Sequence, residues 1–184
     1  MDSYFVLCYY NLMKKQNIFL IGPMGSGKST IGKNLAQLMR LPFYDSDQVI
    51  ESRTGVSVSW IFELEGEEGF RHRESFIISE LTQLQGIVLA TGGGVVVTPE
   101  NLKNLSKRGI VIYLNVSIEI QLQRTRYGGR PLLNCADPKE RLLDLNSKRD
   151  PLYRSIADLI YNTDDLIPLK LAQSIKDDVV DFKK

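Results

Sequence analysis

Cysteine is scarce in this 184-residue chain: Cys8 and Cys135 stand far apart, with no His or Cys companion at ligand spacing. That excludes a disulfide framework and a zinc site, and it suits a reducing, cytoplasmic setting. Charge of one sign is missing as well. Lys plus Arg number 23 against 22 Asp plus Glu, a net charge of +1, and no polybasic run occurs. Neither nucleic acid nor an anionic membrane surface is therefore expected as a partner. No apolar run is long enough to cross a bilayer. Residues 1–15 are apolar and aromatic, but they lack a basic start and a small-residue cleavage site, so they read as a leader of unassigned role. Internal repeats and low-complexity stretches are absent, and the length suits one domain. There is also no N-K-x-D run for reading guanine, which argues against a GTP-dependent switch.

What is present centres on Gly22-Pro-Met-Gly-Ser-Gly-Lys28-Ser29-Thr30, preceded by the apolar run Ile18 to Ile21 and followed by a helical rhythm through Met39. This matches G-x-x-x-x-G-K-[ST], a phosphate-binding P-loop. Its glycines let several backbone N–H groups gather where a helix begins and its dipole end is positive. Lys28 is placed to reach the β- and γ-phosphates of ATP or GTP, and the Ser29 hydroxyl to ligate Mg²⁺.

Four further apolar runs, Pro42 to Tyr44, Ile87 to Ala90, Ile110 to Leu114 and Leu159 to Tyr161, alternate with helical patterns. Strands separated by helices predict a parallel five-stranded sheet with helices on both faces, an α/β three-layer sandwich. A short helix from Ser57 stops at Gly66, and Glu67 to Gln85 reads as a long amphipathic helix. Thr98 and Asp137 are expected helix caps, each followed by Pro. Pro151 is expected to break its helix and leave Arg149 near a bend.

Ligands in such sheets gather beyond the carboxyl ends of the strands. Asp45 and Asp47 follow the second strand; read as extended chain, i and i+2 face one cleft. Asp45 would then face the water shell of Mg²⁺ and Asp47 a substrate hydroxyl, or else one of them caps the next helix. Arg71 and Arg73 lie on the long helix, and spacing leaves open which meets a substrate carboxylate; Arg71 is expected near Glu68 and Ser75. Thr91-Gly92-Gly93-Gly94 permits close ligand approach and unusual backbone angles. Arg130, in a Gly-rich polar loop, suits a lid that brings positive charge to the phosphates.

Together, the P-loop, the Asp45-Ser-Asp47 pair, Gly66-Glu-Glu-Gly-Phe-Arg71, Thr91-Gly-Gly-Gly, Arg130-Pro-Leu-Leu and Arg149-Asp-Pro-Leu-Tyr resemble shikimate kinase in order, from about Asn17 to about Asp165. The resemblance implies a nucleoside-monophosphate-kinase-like core with a substrate-binding region at about 45–75 and a lid at about 125–137, in one domain acting as a monomer. It implies transfer of the γ-phosphate of ATP to the 3-hydroxyl of shikimate, in the route to chorismate and the aromatic amino acids. Carried over by motif, Gly25, Ser26, Gly27, Lys28, Ser29 and Thr30 bind ATP. Ser29 and Asp45 serve Mg²⁺, while Asp47, Arg71, Gly93 and Arg149 hold shikimate. Asp47 accepts from the attacking hydroxyl. Arg124 packs on adenine, and Arg130 is the lid arginine.

Overall fold

The computed structural model describes residues 16–126, 136–165 and 167–182. The leader, both cysteines, Arg130 and most of the expected lid lie outside them. Five strands, β1 (Ile18–Ile21), β2 (Phe43–Asp45), β3 (Val88–Ala90), β4 (Ile110–Asn115) and β5 (Leu159–Asn162), form one sheet in the order β2-β3-β1-β4-β5. Every pairing is parallel. Seven α-helices are described: α1 (Lys28–Met39), α2 (Ser46–Thr54), α3 (Val58–Leu81), α4 (Pro99–Arg108), α5 (Ile118–Thr125), α6 (Pro138–Ile156) and α7 (Pro168–Asp181).

Alternation along the strands builds the three layers. Phe19, Ile21, Leu89, Val111 and Tyr113 face one way, onto Ile50, Ile77, Leu105 and Tyr153. Ile18, Leu20, Val88, Ile110 and Ile112 face the other, onto Ile31 and Leu35 of α1 and Ile175 and Val179 of α7. Because both faces are covered, the central strands are apolar throughout instead of alternating with polar residues. The register sets Ile18 beside both Val88 and Ile110, and so fixes where the loops at the strand ends emerge.

Three local expectations need correction. Pro151 lies inside α6, which continues through it to Ile156. A proline removes one intrahelical hydrogen bond, but Arg149 and Tyr153, both buried on one face, tie the helix down on either side of it. Thr98 makes no side-chain cap bond, although Pro99 does open α4. The long helix ends at Leu81, short of Gln85. The expected stop at Gly66 is present as a kink with φ 70° and ψ −172°, which divides α3 into two helical pieces. Asp137 caps α6 as expected, accepting from the Glu140 N–H at 3.0 Å.

Candidate active site

The P-loop follows β1 and turns into α1. Gly25 (φ 78°) and Gly27 (φ 87°) take left-handed conformations that residues with a side chain rarely adopt. Ser26 is buried within the turn, and Ser29 and Thr30 occupy the first turn of α1. The Lys28 ammonium is folded over its own loop, donating to the carbonyls of Gly22 (2.8 Å) and Pro23 (2.7 Å) and to Ser26 Oγ (3.3 Å).

Asp45 caps the next helix, one of the two alternatives the sequence offered, and its second oxygen meets the phosphate loop. Its Oδ1 accepts from the N–H groups of Asp47 (3.1 Å) and Gln48 (3.4 Å), capping α2. Its Oδ2 accepts the Ser29 hydroxyl at 2.6 Å. The extended reading of Asp45-Ser-Asp47 is overturned, since helix α2 begins at Ser46. Asp45 thus turns to the phosphate loop, while Asp47, in the first helical turn, lines a separate part of the cleft.

That part is a cleft partly open to solvent, lined by Met24, Asp47, Arg71, Glu74, the three glycines and Arg149 among others. Each glycine makes room for a different wall. A Cβ on Gly92 would sit 2.8 Å from both Asp47 Oδ1 and Glu74 Oε1; one on Gly93 would be 3.3 Å from the Met24 nitrogen of the P-loop; one on Gly94 would collide with the Arg71 guanidinium. None of the three has a positive φ. Close approach, and not unusual backbone angles, is what requires glycine there.

Arg71 lies between two glutamates other than the residues expected beside it. It donates Nη1 to Glu74 Oε2 at 2.6 Å and Nη2 to Glu67 Oε1 at 2.9 Å. These are the i+3 and i−4 neighbours on the helix, so the three-and-four spacing rule was the signal that could have found them. Burial pushes the Glu74 carboxyl up from its ordinary range, against the pull of Arg71. Burial also works against the Arg71 charge, but the two glutamates outweigh it and raise the group. Arg73 points away and pairs with Glu65 across the Gly66 kink at 2.7 Å.

Arg149 is buried, and desolvation pulls its pKa down. Its Nη1 approaches the Gly93 carbonyl at 3.5 Å, and the Tyr153 hydroxyl, one helical turn on, donates to the same oxygen. Tyr153 was not singled out from sequence, although its i+4 relation to Arg149 puts both on one face. On the other side of the P-loop, Arg124 donates to the carbonyls of Gly25 (3.1 Å), Thr163 (2.8 Å) and Asp164 (3.1 Å). Of the sequence-predicted residues, Arg130 alone lies outside the described residues.

A cleft with a phosphate loop on one wall and acids and arginines on the other suits transfer of a phosphoryl group to a small anionic acceptor. The family model described as shikimate kinase matches residues 24–180. A curated shikimate kinase from Shewanella woodyi is 56% identical over 155 residues, covering 84% of this chain and 91% of that protein. One from Legionella pneumophila (strain Corby) is 55% identical over 166 residues, covering 90% and 95%. Among solved structures, the shikimate kinase from Acinetobacter baumannii in complex with shikimate superposes with a TM-score of 0.90 at 45% identity, covering 94% of this chain and 97% of that one. A model match running from the P-loop into the last helix, with relatives more than half identical over nearly their whole length, means that this chain belongs to the shikimate kinase family.

Proposed function

We propose a division of labour within the cleft for the reaction of this family, in which the γ-phosphate of ATP passes to the 3-hydroxyl of shikimate, giving shikimate 3-phosphate and ADP. The chain is an ATP-dependent phosphotransferase. The observation that carries the assignment is the packing of Gly93 against the P-loop at Met24, which brings the wall of Asp47, Arg71 and Arg149 beside the phosphate loop.

In this reading the backbone amides from Gly25 to Thr30 cradle the phosphates. Lys28 exchanges its loop carbonyls for phosphate oxygens when nucleotide arrives. Arg71 and Arg149 grip the shikimate carboxylate, for which a planar guanidinium is suited. Asp47 accepts a hydrogen bond from the attacking hydroxyl and aligns it with the terminal phosphorus. As the new O–P bond forms, the hydroxyl gives up its proton to solvent beside Asp47, the bond to the β-phosphate oxygen breaks and ADP leaves. Arg124, fixed beside Gly25, offers its guanidinium face to adenine. Arg130 brings further positive charge as the segment at about 125–137 closes as a lid, and about 45–75 forms the acceptor-binding region of a single domain.

Ser29 and Asp45 suit Mg²⁺. Their oxygens, 2.6 Å apart, are hard donors at the phosphate loop, and Mg²⁺ takes most of its ligands from phosphates and water. Among the described residues no cluster of three His, Cys, Asp or Glu side chains could hold a metal unaided, which accords with an ion that arrives with the nucleotide. Bound there, it would neutralise charge on the β- and γ-phosphates. All these residues come from one chain, so a monomer is the proposed working unit. Among the described residues no helix is long and apolar enough to cross a membrane, and cytoplasmic residence remains part of the proposal.

The test is ADP release by the purified protein across shikimate, other small hydroxy acids and nucleoside monophosphates. Turnover is expected with shikimate; turnover only with a nucleotide acceptor would reject the reading.

A further inference from the structure

The two arginines of the acceptor wall already share a carboxylate. Glu67 Oε1 accepts from Arg71 Nη2 at 2.9 Å and lies 3.9 Å from Arg149 Nη2. One oxygen therefore lies within ion-pair distance of both guanidinium groups, the same two that the proposed acceptor carboxylate has to meet. Glu74 cannot be the movable partner, because its side chain is fully buried and holds Arg71 through the other nitrogen, Nη1. Glu67 differs in each respect. Its side chain is 47% exposed, and it directly follows Gly66, whose φ of 70° interrupts α3. It thus begins a fresh helical piece, where the dipole tolerates a solvent-facing acid. With its acid half exposed and its arginines largely buried, this contact is partly screened by solvent and weak enough for a second anion to displace.

We propose that Glu67 stands in for the substrate carboxylate: it neutralises and spaces Arg71 and Arg149 while the cleft is empty, then swings out when a carboxylated acceptor takes its place. The inference rests on the reading that these two arginines grip the carboxylate of shikimate. The charge relations are consistent with it. The Glu67 anion is one of the groups that oppose the loss of charge on buried Arg149, so its departure leaves an electrostatic vacancy that only another anion refills. It follows that an incoming acid exchanges one carboxylate for another and gains less from the arginines than it would if Glu67 did not hold them. Glu67 thereby sets how much the carboxylate contact adds to binding, and the hydroxyl contacts supply the rest.

The experiment compares the wild-type protein with Glu67→Gln, titrated calorimetrically with shikimate and separately with ATP. If Glu67 occupies the arginines most of the time in the empty cleft, removing its charge raises the competent fraction. Shikimate affinity should then rise about two- to sixfold, the range that a weak ion pair implies, with ATP affinity unchanged. Cyclohexanecarboxylate, which carries the acid without hydroxyls, should by itself bind the variant more tightly by a similar factor. Failure of either gain, or weaker shikimate binding, overturns the proposal and leaves Glu67 a fixed strut. If the wild-type protein does not bind shikimate at all, it is the acceptor assignment that fails instead.

Discussion

The Ser29 hydroxyl donates to Asp45 Oδ2 at 2.6 Å, joining the start of α1 to the end of β2. The other oxygen of the same carboxylate caps α2. The two tasks can be separated, because Asn caps a helix about as well as Asp but carries no charge. Asp45→Asn should leave thermal stability nearly unchanged and raise the Mg²⁺ concentration needed for half-maximal activity about tenfold. A Mg²⁺ titration of initial rates checks this; an unchanged requirement would remove Asp45 from the metal assignment.

In the proposed division of labour Lys28 serves the phosphates and Arg149 the acceptor, so their losses should differ in kind. Lys28→Ala should lower kcat on the order of a hundredfold or more, with shikimate binding largely kept, because the charge it supplies is needed most as charge develops on the phosphates. Arg149→Ala should weaken shikimate binding about ten- to a hundredfold, the loss of a charge-assisted bidentate contact, with ATP affinity little changed. Calorimetry with each ligand separates the two, and the reverse pattern would mean that the walls are assigned the wrong way round.

Gly94 makes way for Arg71. Its φ of −102° is open to any residue, so Gly94→Ala introduces no backbone strain, only a methyl where the guanidinium now lies. Displacing Arg71 should raise the KM for shikimate about tenfold, with the KM for ATP unchanged. Steady-state kinetics with each substrate varied in turn would show it. An unchanged shikimate KM would mean that the position of Arg71 is unimportant.

Asp150 sets a pH-dependent contribution to stability. It accepts from the Tyr113 hydroxyl and from Arg154 Nε, each at 2.7 Å. Burial works against the anion, but these two bonds outweigh it and hold its pKa below the usual aspartate range. A carboxylate whose folded pKa is depressed contributes stability that is full above the unfolded value, about 4. That contribution is lost as pH falls through the lower folded value. Asp150→Asn should therefore cost about 1 kcal/mol at pH 7, with the Arg154 part discounted for solvent screening. The gap from wild type should shrink as pH falls toward 3. Urea unfolding at both pH values measures this, and a gap that widens on acidification would contradict the linkage.

Much of the site was legible in the chain because its signals are local. The P-loop is a contiguous backbone device, and the left-handed angles at Gly25 and Gly27 follow from residues adjacent in sequence. Apolar runs revealed the strands because both sheet faces are covered. Pro151 misled for the complementary reason. Local propensity says break, but the buried contacts of Arg149 and Tyr153 come from distant segments and outweigh it.

The amino-acid order by itself settled the alternation of strand and helix, the phosphate loop, and the residue types available for the reaction, because periodicity and backbone freedom act over a few neighbours. Only the tertiary structure decided that Glu67 bridges Arg71 to Arg149, that Gly93 lies against Met24, and that Asp45 divides its two oxygens between a helix and Ser29. These contacts join segments brought together by the sheet order β2-β3-β1-β4-β5. Distances across a fold depend on how whole elements pack, which spacing along the chain does not encode.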